Sequence, residues 1–154
     1  MKNTFIFAFI MLVAGLGVPL MATLNSGLGA RLQSPALAAS ILFLVGLAIS
    51  IVYLLAVEGV PMTIYKENTP WYFYFGGFFV MFYILSITSV APHFGISNAV
   101  SFVLLGQLVA MSLIDHYGLI GVPKYLLNPQ RIIGLLLMAV GVMMVVGRST
   151  TTQS

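Results

Sequence analysis

Pro35–Val57 reads PALAASILFLVGLAISIVYLLAV, an unbroken apolar run with no charged side chain in it. A helix needs about 20 such residues to cross about 30 Å of hydrocarbon, so this stretch predicts a transmembrane helix. Working outward, comparable runs occupy residues 5–24, 71–90, 95–114 and 132–147, the last being shorter and drawing on its flanks to span. The five runs fill most of the 154 residues, of which 60% are apolar and 6% charged. Soluble domains hold about 45–50% apolar and about 25% charged residues, which excludes a water-soluble core here. The runs are continuous rather than alternating at every second residue, and this selects helices over a membrane barrel. The expected fold class is all-α: a polytopic membrane protein in which residues 1–154 form a single domain of five transmembrane helices.

Composition removes several functional classes. The isoelectric point near 9.4 rests on six basic residues dispersed among different loops, so no basic patch and no nucleic-acid partner is expected. Zero cysteines exclude disulfides, thiolate nucleophiles and sulfur-ligated metals together. The chain has no GxSxG, no HExxH and no phosphate-binding loop, and its two histidines fall in different loops. Neither an enzyme, a cofactor nor a metal site is expected. Met138, Met143 and Met144 read as lipid-facing or core filler.

Lys2 followed by an apolar stretch, with small residues near Ala22 and Ala30, has the outline of a secretory signal. The stretch is too long for a signal core, contains Gly15, Gly17 and Pro19, and is followed by four more spans, so a retained first helix is expected. Polar punctuation at Asn25–Ser34, Glu58–Pro70, Ala91–His93 and Leu113–Gln130 predicts the loops, with Pro35, Pro61, Pro70, Pro92, Pro123 and Pro129 near segment ends. Trp71, Tyr72 and Tyr74 place the start of the third helix at the headgroup level.

Lys2, Lys66, Lys124 and Arg131 fall on one side of a five-span layout, and Arg31 and Arg148 on the other. A four-to-two bias weakly favours a cytoplasmic amino terminus and is small enough for both orientations to insert. An odd span number puts the termini on opposite sides, and two copies paired upside down reproduce the inverted repeats of alternating-access transporters. The expectation is an antiparallel homodimer forming a ten-helix bundle. Its partners would be the lipid bilayer, a second copy and a small molecule that the sequence does not identify.

No Lys, Arg, Asp or Glu lies at mid-depth in a span, so a buried proton-coupling carboxylate is missing. Coupling candidates are confined to helix ends: Glu58, and Asp115 beside His116, which reads either as a proton relay or as a hydrated helix end. On the fourth span, Asn98, Ser101, Ser112 and Asp115 share one sector while Gln107 points nearly opposite. Asn25, Asn98, Ser101 and Gln107 are the substrate-cavity candidates. For each, the alternative is a hydrogen bond that holds neighbouring helices together. Pro19 with Asn25 reads as a polar gate, or as a kink and a helix cap. Gly76 and Gly77 permit close backbone approach. Gly134 and Gly141, seven apart on one face, are the dimer-contact candidates, with packing inside the chain as the alternative.

The stretch Gly17-Val18-Pro19 through Asn25-Ser26-Gly27-Leu28-Gly29, then Ser34-Pro35 with Ser40 and Gly46, resembles the opening of the small YdcZ-type proteins of the drug/metabolite transporter superfamily. Pro70-Trp71, Gly76-Gly77, Gly106-Gln107, Asp115-His116-Tyr117-Gly118-Leu119 and Arg131 with Gly134 match that family's later landmarks, so the resemblance covers nearly the whole chain. It departs at Met21, where the family often has a glutamine two residues after the proline. The resemblance implies a bacterial inner-membrane protein of five helices working as an antiparallel pair, without the first-helix glutamate of the small multidrug exporters. The resulting expectation is a secondary transporter that exports a small molecule or metabolite by alternating access. The rival is a non-transporting membrane subunit whose polar residues only lock helices together.

Overall fold

The structure, a computed structural model, describes residues 2–60 and 69–148; Pro61 and Lys66 lie outside the described residues. Five α-helices follow one another: α1 (Lys2–Leu32), α2 (Pro35–Val57), α3 (Gly76–Phe94), α4 (Ile96–Tyr117) and α5 (Pro129–Arg148). Short 3-10 turns occupy Trp71–Phe75 and Leu119–Gly121. All 5 candidate spans are long and apolar enough to cross a membrane, and at most 17% of any one is buried within the chain. Their outward side chains, such as Phe9, Leu16, Leu44 and Phe82, are solvated by acyl chains rather than by water. The chain divides into two compact units, Met1–His93 and Phe94–Ser154.

In the first unit, α1 buries Ala22, Asn25, Ser26 and Gly29, positions i, i+3, i+4 and i+7 that line one helix face. Ala38 and Ala39 are buried on α2, and Ile84, Ile87, Thr88 and Ala91 on α3. Small side chains let the backbones come close, which is how helices associate where lipid removes the hydrophobic driving force. Gly29 is the tightest point, because a Cβ there would stand 2.8 Å from Thr88 Cγ2 and 3.6 Å from the Ala38 Cβ.

The first loop is far shorter than the polar run Asn25–Ser34 predicts. Helix α1 continues to Leu32 because Asn25, Ser26 and Gly29 are spent on packing against other helices rather than on a turn. It ends where Gln33 takes a left-handed φ of 52°. The Gln33 N–H then donates to the Ala30 carbonyl and the Ser34 N–H to the Gly29 carbonyl, the paired bonds of a Schellman ending. Ser34 starts α2 at once, its Oγ accepting from the Leu37 N–H at 3.2 Å with Pro35 in the first turn.

Two further boundaries move. Trp71–Phe75 winds as a 3-10 turn before α3, with the Trp71 and Phe75 rings edge to face at 5.4 Å. The predicted break at Ala91–His93 is absent: Pro92 lies inside α3, as prolines in membrane helices do, and the chain turns only at Gly95, whose φ is 87°.

In the second unit, α4 packs on α5, and the connection between them folds back onto the end of α4. Gly118, at φ 63°, closes α4 by donating its N–H to the Ile114 carbonyl. Asn128 then caps α5, its Oδ1 accepting from the Arg131 N–H at 2.8 Å with Pro129 opening the helix. That cap starts α5 three residues before the apolar run does.

Candidate functional site

Polar side chains within the spans gather in two places, one in each unit. In the first, the buried Asn25 amide nitrogen donates to the Oγ1 of the equally buried Thr88, joining α1 to α3. Thr88 is the polar residue that sequence reasoning missed, since a threonine in an apolar run carries no signal of its own. Asn25 is no helix cap, because α1 runs past it to Leu32; the capping alternative for it fails. Two residues before Asn25, the Thr23 hydroxyl donates to the Pro19 carbonyl at 2.7 Å, one turn back along the same helix. Beside Asn25, an apolar recess of about 310 Å³ is lined by Met21, Leu24, Leu28, Ile41, Leu42 and Val45. On α3, the Tyr83 hydroxyl is buried with no hydrogen-bond partner among the described residues.

In the second unit, Asn98 is buried and its amide nitrogen donates back to the Phe94 carbonyl at 2.8 Å. The Ser101 Oγ donates to the Ser97 carbonyl at 2.8 Å, and Ser101 also borders a groove of about 280 Å³ with Leu104, Met138, Gly141, Val142 and Val145. Ser112 is buried on the same helix. Gln107, on the opposite side of α4, is exposed. A Cβ placed on Gly134 or Gly141 would meet nothing within 4 Å, so both glycines leave open surface on α5.

The coupling candidates are engaged at the end of α4. Arg131 Nη2 donates to Asp115 Oδ2 at 2.7 Å, an ion pair in which the two side chains are 36% and 26% exposed. His116 Nδ1 accepts from the Leu127 N–H at 3.2 Å, and the Tyr125 N–H donates to the Asp115 carbonyl at 2.8 Å. A ring nitrogen that accepts is unprotonated, so this contact belongs to imidazole with its proton on Nε2. Glu58 closes α2 through its backbone N–H to the Leu54 carbonyl, and its side chain is exposed. The two histidines sit in the last turns of α3 and α4 rather than in loops. The described residues contain no group of three or more potential metal-ligating side chains.

Five membrane-crossing helices with charges only near their ends, and with polar atoms mostly bonded between or within helices, define a small polytopic integral membrane protein. The profile of the family described as "Putative inner membrane exporter, YdcZ" matches residues 6–144, and the chain belongs to this family. It is a multi-pass protein of the inner membrane. No curated protein and no solved structure matches it.

Proposed function

We propose that the chain is a secondary exporter of a small molecule, each five-helix chain forming one domain and two chains pairing antiparallel as a ten-helix bundle. Family membership supports the exporter class. The observation that carries the paired arrangement is Gln107, an exposed carboxamide midway along α4 with no hydrogen bond among the described residues. In hydrocarbon its donors and acceptor would go unmet, at a cost of about 2–7 kcal/mol, so this face needs a polar partner beyond its own unit, and a second chain or a polar path supplies one. Gly134 and Gly141 offer open small-residue surface on α5 for the contact between copies.

Asn25, Asn98, Ser101 and Gln107 are the cavity residues of this reading. Asp115, His116 and Glu58 remain its coupling candidates, with one constraint. Asp115 and His116 hold the α4–α5 connection, so proton carriage through them requires the Arg131 pair or the Leu127 contact to open. Facilitated diffusion, or coupling to another ion, avoids that requirement.

A second reading has its own support, because the Asn25–Thr88 bond is what a purely structural polar residue would make. That reading is a non-transporting membrane subunit. Flux into sealed vesicles separates the two. Gln107→Ala should lower uptake in both gradient-driven and downhill assays while the chain stays folded; absence of any flux by the wild type across a broad panel of small molecules would support the subunit.

A further inference from the structure

Thr23, Leu24, Gly27, Leu28 and Arg31 follow one another along a single face of α1 and line a recess of about 450 Å³. The recess exists because Gly27 lacks a side chain: a Cβ there would meet nothing within 4 Å, and the stripe dips between Leu24, Leu28 and Arg31. From Thr23 to Arg31 the face extends about 12 Å along the helix axis. Its floor is apolar, and Leu24 is 75% exposed.

Arg31 sets the polarity of this face. It occupies the last turn of α1, where the helix carbonyls favour a cation, and it makes no ion pair among the described residues. Among the described residues of its own unit the one acidic side chain is Glu58, at the far end of α2. The turn at Gln33–Ser34 reverses the chain immediately after Arg31, which places the guanidinium at the membrane–water boundary and Leu24 and Leu28 below it. A cation at headgroup level above an apolar trough that opens towards lipid complements one chemistry.

We propose that this face is a binding site for an anionic phospholipid, with the phosphate on Arg31 and one acyl chain laid along Leu24 and Leu28 over Gly27. The bilayer is the source of the ligand because the trough opens sideways along a span rather than into a loop. The site is independent of the exporter reading: it needs only α1 and its position in the membrane.

Native mass spectrometry of the full chain in mild detergent tests it, with phosphatidylglycerol, phosphatidylcholine and inorganic phosphate as the three probes. The wild type should retain phosphatidylglycerol in preference to phosphatidylcholine and should show no adduct with phosphate alone. Arg31→Gln should weaken phosphatidylglycerol about fivefold and abolish the preference, the weight of one basic residue near an anionic surface. Arg31→Lys should keep most of it, and Lys124→Gln should change nothing. Gly27→Leu, which favours the helix and fills the trough, should lower retention of both lipids. Unchanged phosphatidylglycerol binding by Arg31→Gln overturns the proposal. So does an Arg31-dependent adduct with inorganic phosphate alone, which would make the site one for a soluble anion. A change of oligomeric state in Gly27→Leu with lipid retention intact also overturns it and assigns the face to a second copy.

Discussion

Thr88 shows how a residue acquires a role that its own chemistry does not announce. Its hydroxyl receives the Asn25 amide while its methyl group fills the space beside Gly29. Thr88→Val keeps the shape and leaves a buried amide without its acceptor, so it should cost about 0.6–1.7 kcal/mol in a reversible unfolding assay in detergent. Asn25→Leu with Thr88→Val should cost less than the two single changes added together; strict additivity would show that the bond contributes nothing. Asp115 is a second case. Asparagine there removes one charge of a partly exposed pair, and the expected loss of stability is no more than about 1 kcal/mol. Once a substrate is known, Asp115→Asn should still accumulate it when a proton gradient is imposed if the carboxylate only ties α4 to α5. Loss of accumulation with downhill exchange preserved would make Asp115 the coupling group. The candidates Asn25, Asn98 and Asp115 were legible because amides and carboxylates are rare and costly in membrane spans. Thr88 and the Arg131 partner of Asp115 were not, because sequence spacing cannot say which residues on different helices meet.

At the scale of helices, hydropathy located every span and bounded α2 as observed, but misplaced the ends of the other four. The reason is specific at α1: Asn25, Ser26, Gly27 and Gly29 have the composition of a loop, and packing of Asn25, Ser26 and Gly29 within the unit keeps the stretch helical. Gly29 makes that explanation testable. Alanine would favour the isolated helix, yet its Cβ would press on the Thr88 methyl at 2.8 Å, and a β-branched side chain has little freedom to turn away. Gly29→Ala should destabilise the fold by about 1–3 kcal/mol. Thr88→Ser removes the obstructing methyl and keeps the hydroxyl, so the double variant should regain most of the loss in thermal stability. A neutral Gly29→Ala would mean that α1 and α3 are less closely apposed. Gly118 is held by a different constraint, a left-handed φ of 63° with Lys124 Cβ only 3.3 Å from where its own Cβ would be. Alanine there should cost about 1–2 kcal/mol through backbone strain alone.

For the whole molecule, the tests concern orientation and pairing. Reporters on both termini should find the chain in both orientations, with lysines added to the second or fourth loop shifting it to an amino terminus inside and arginines near Arg31 shifting it the other way. A single orientation that resists both changes removes the antiparallel homodimer. Gly134→Leu with Gly141→Leu should separate paired chains in mild detergent while each stays helical, because the added side chains project from open surface and block close approach. Dimers that survive this change would relocate the interface, and loss of the folded chain would assign the glycines to packing inside it. By itself the sequence determined the solvent, the helical class and the five spans, because hydrocarbon tolerates only long apolar segments with every backbone polar group internally bonded. Only the tertiary structure decided that Asn25 is a buried partner of Thr88, that Asp115 is paired with Arg131, and that Gln107 is left exposed. Those outcomes depend on which faces of separate helices meet, and helical periodicity specifies a face without naming what stands opposite it.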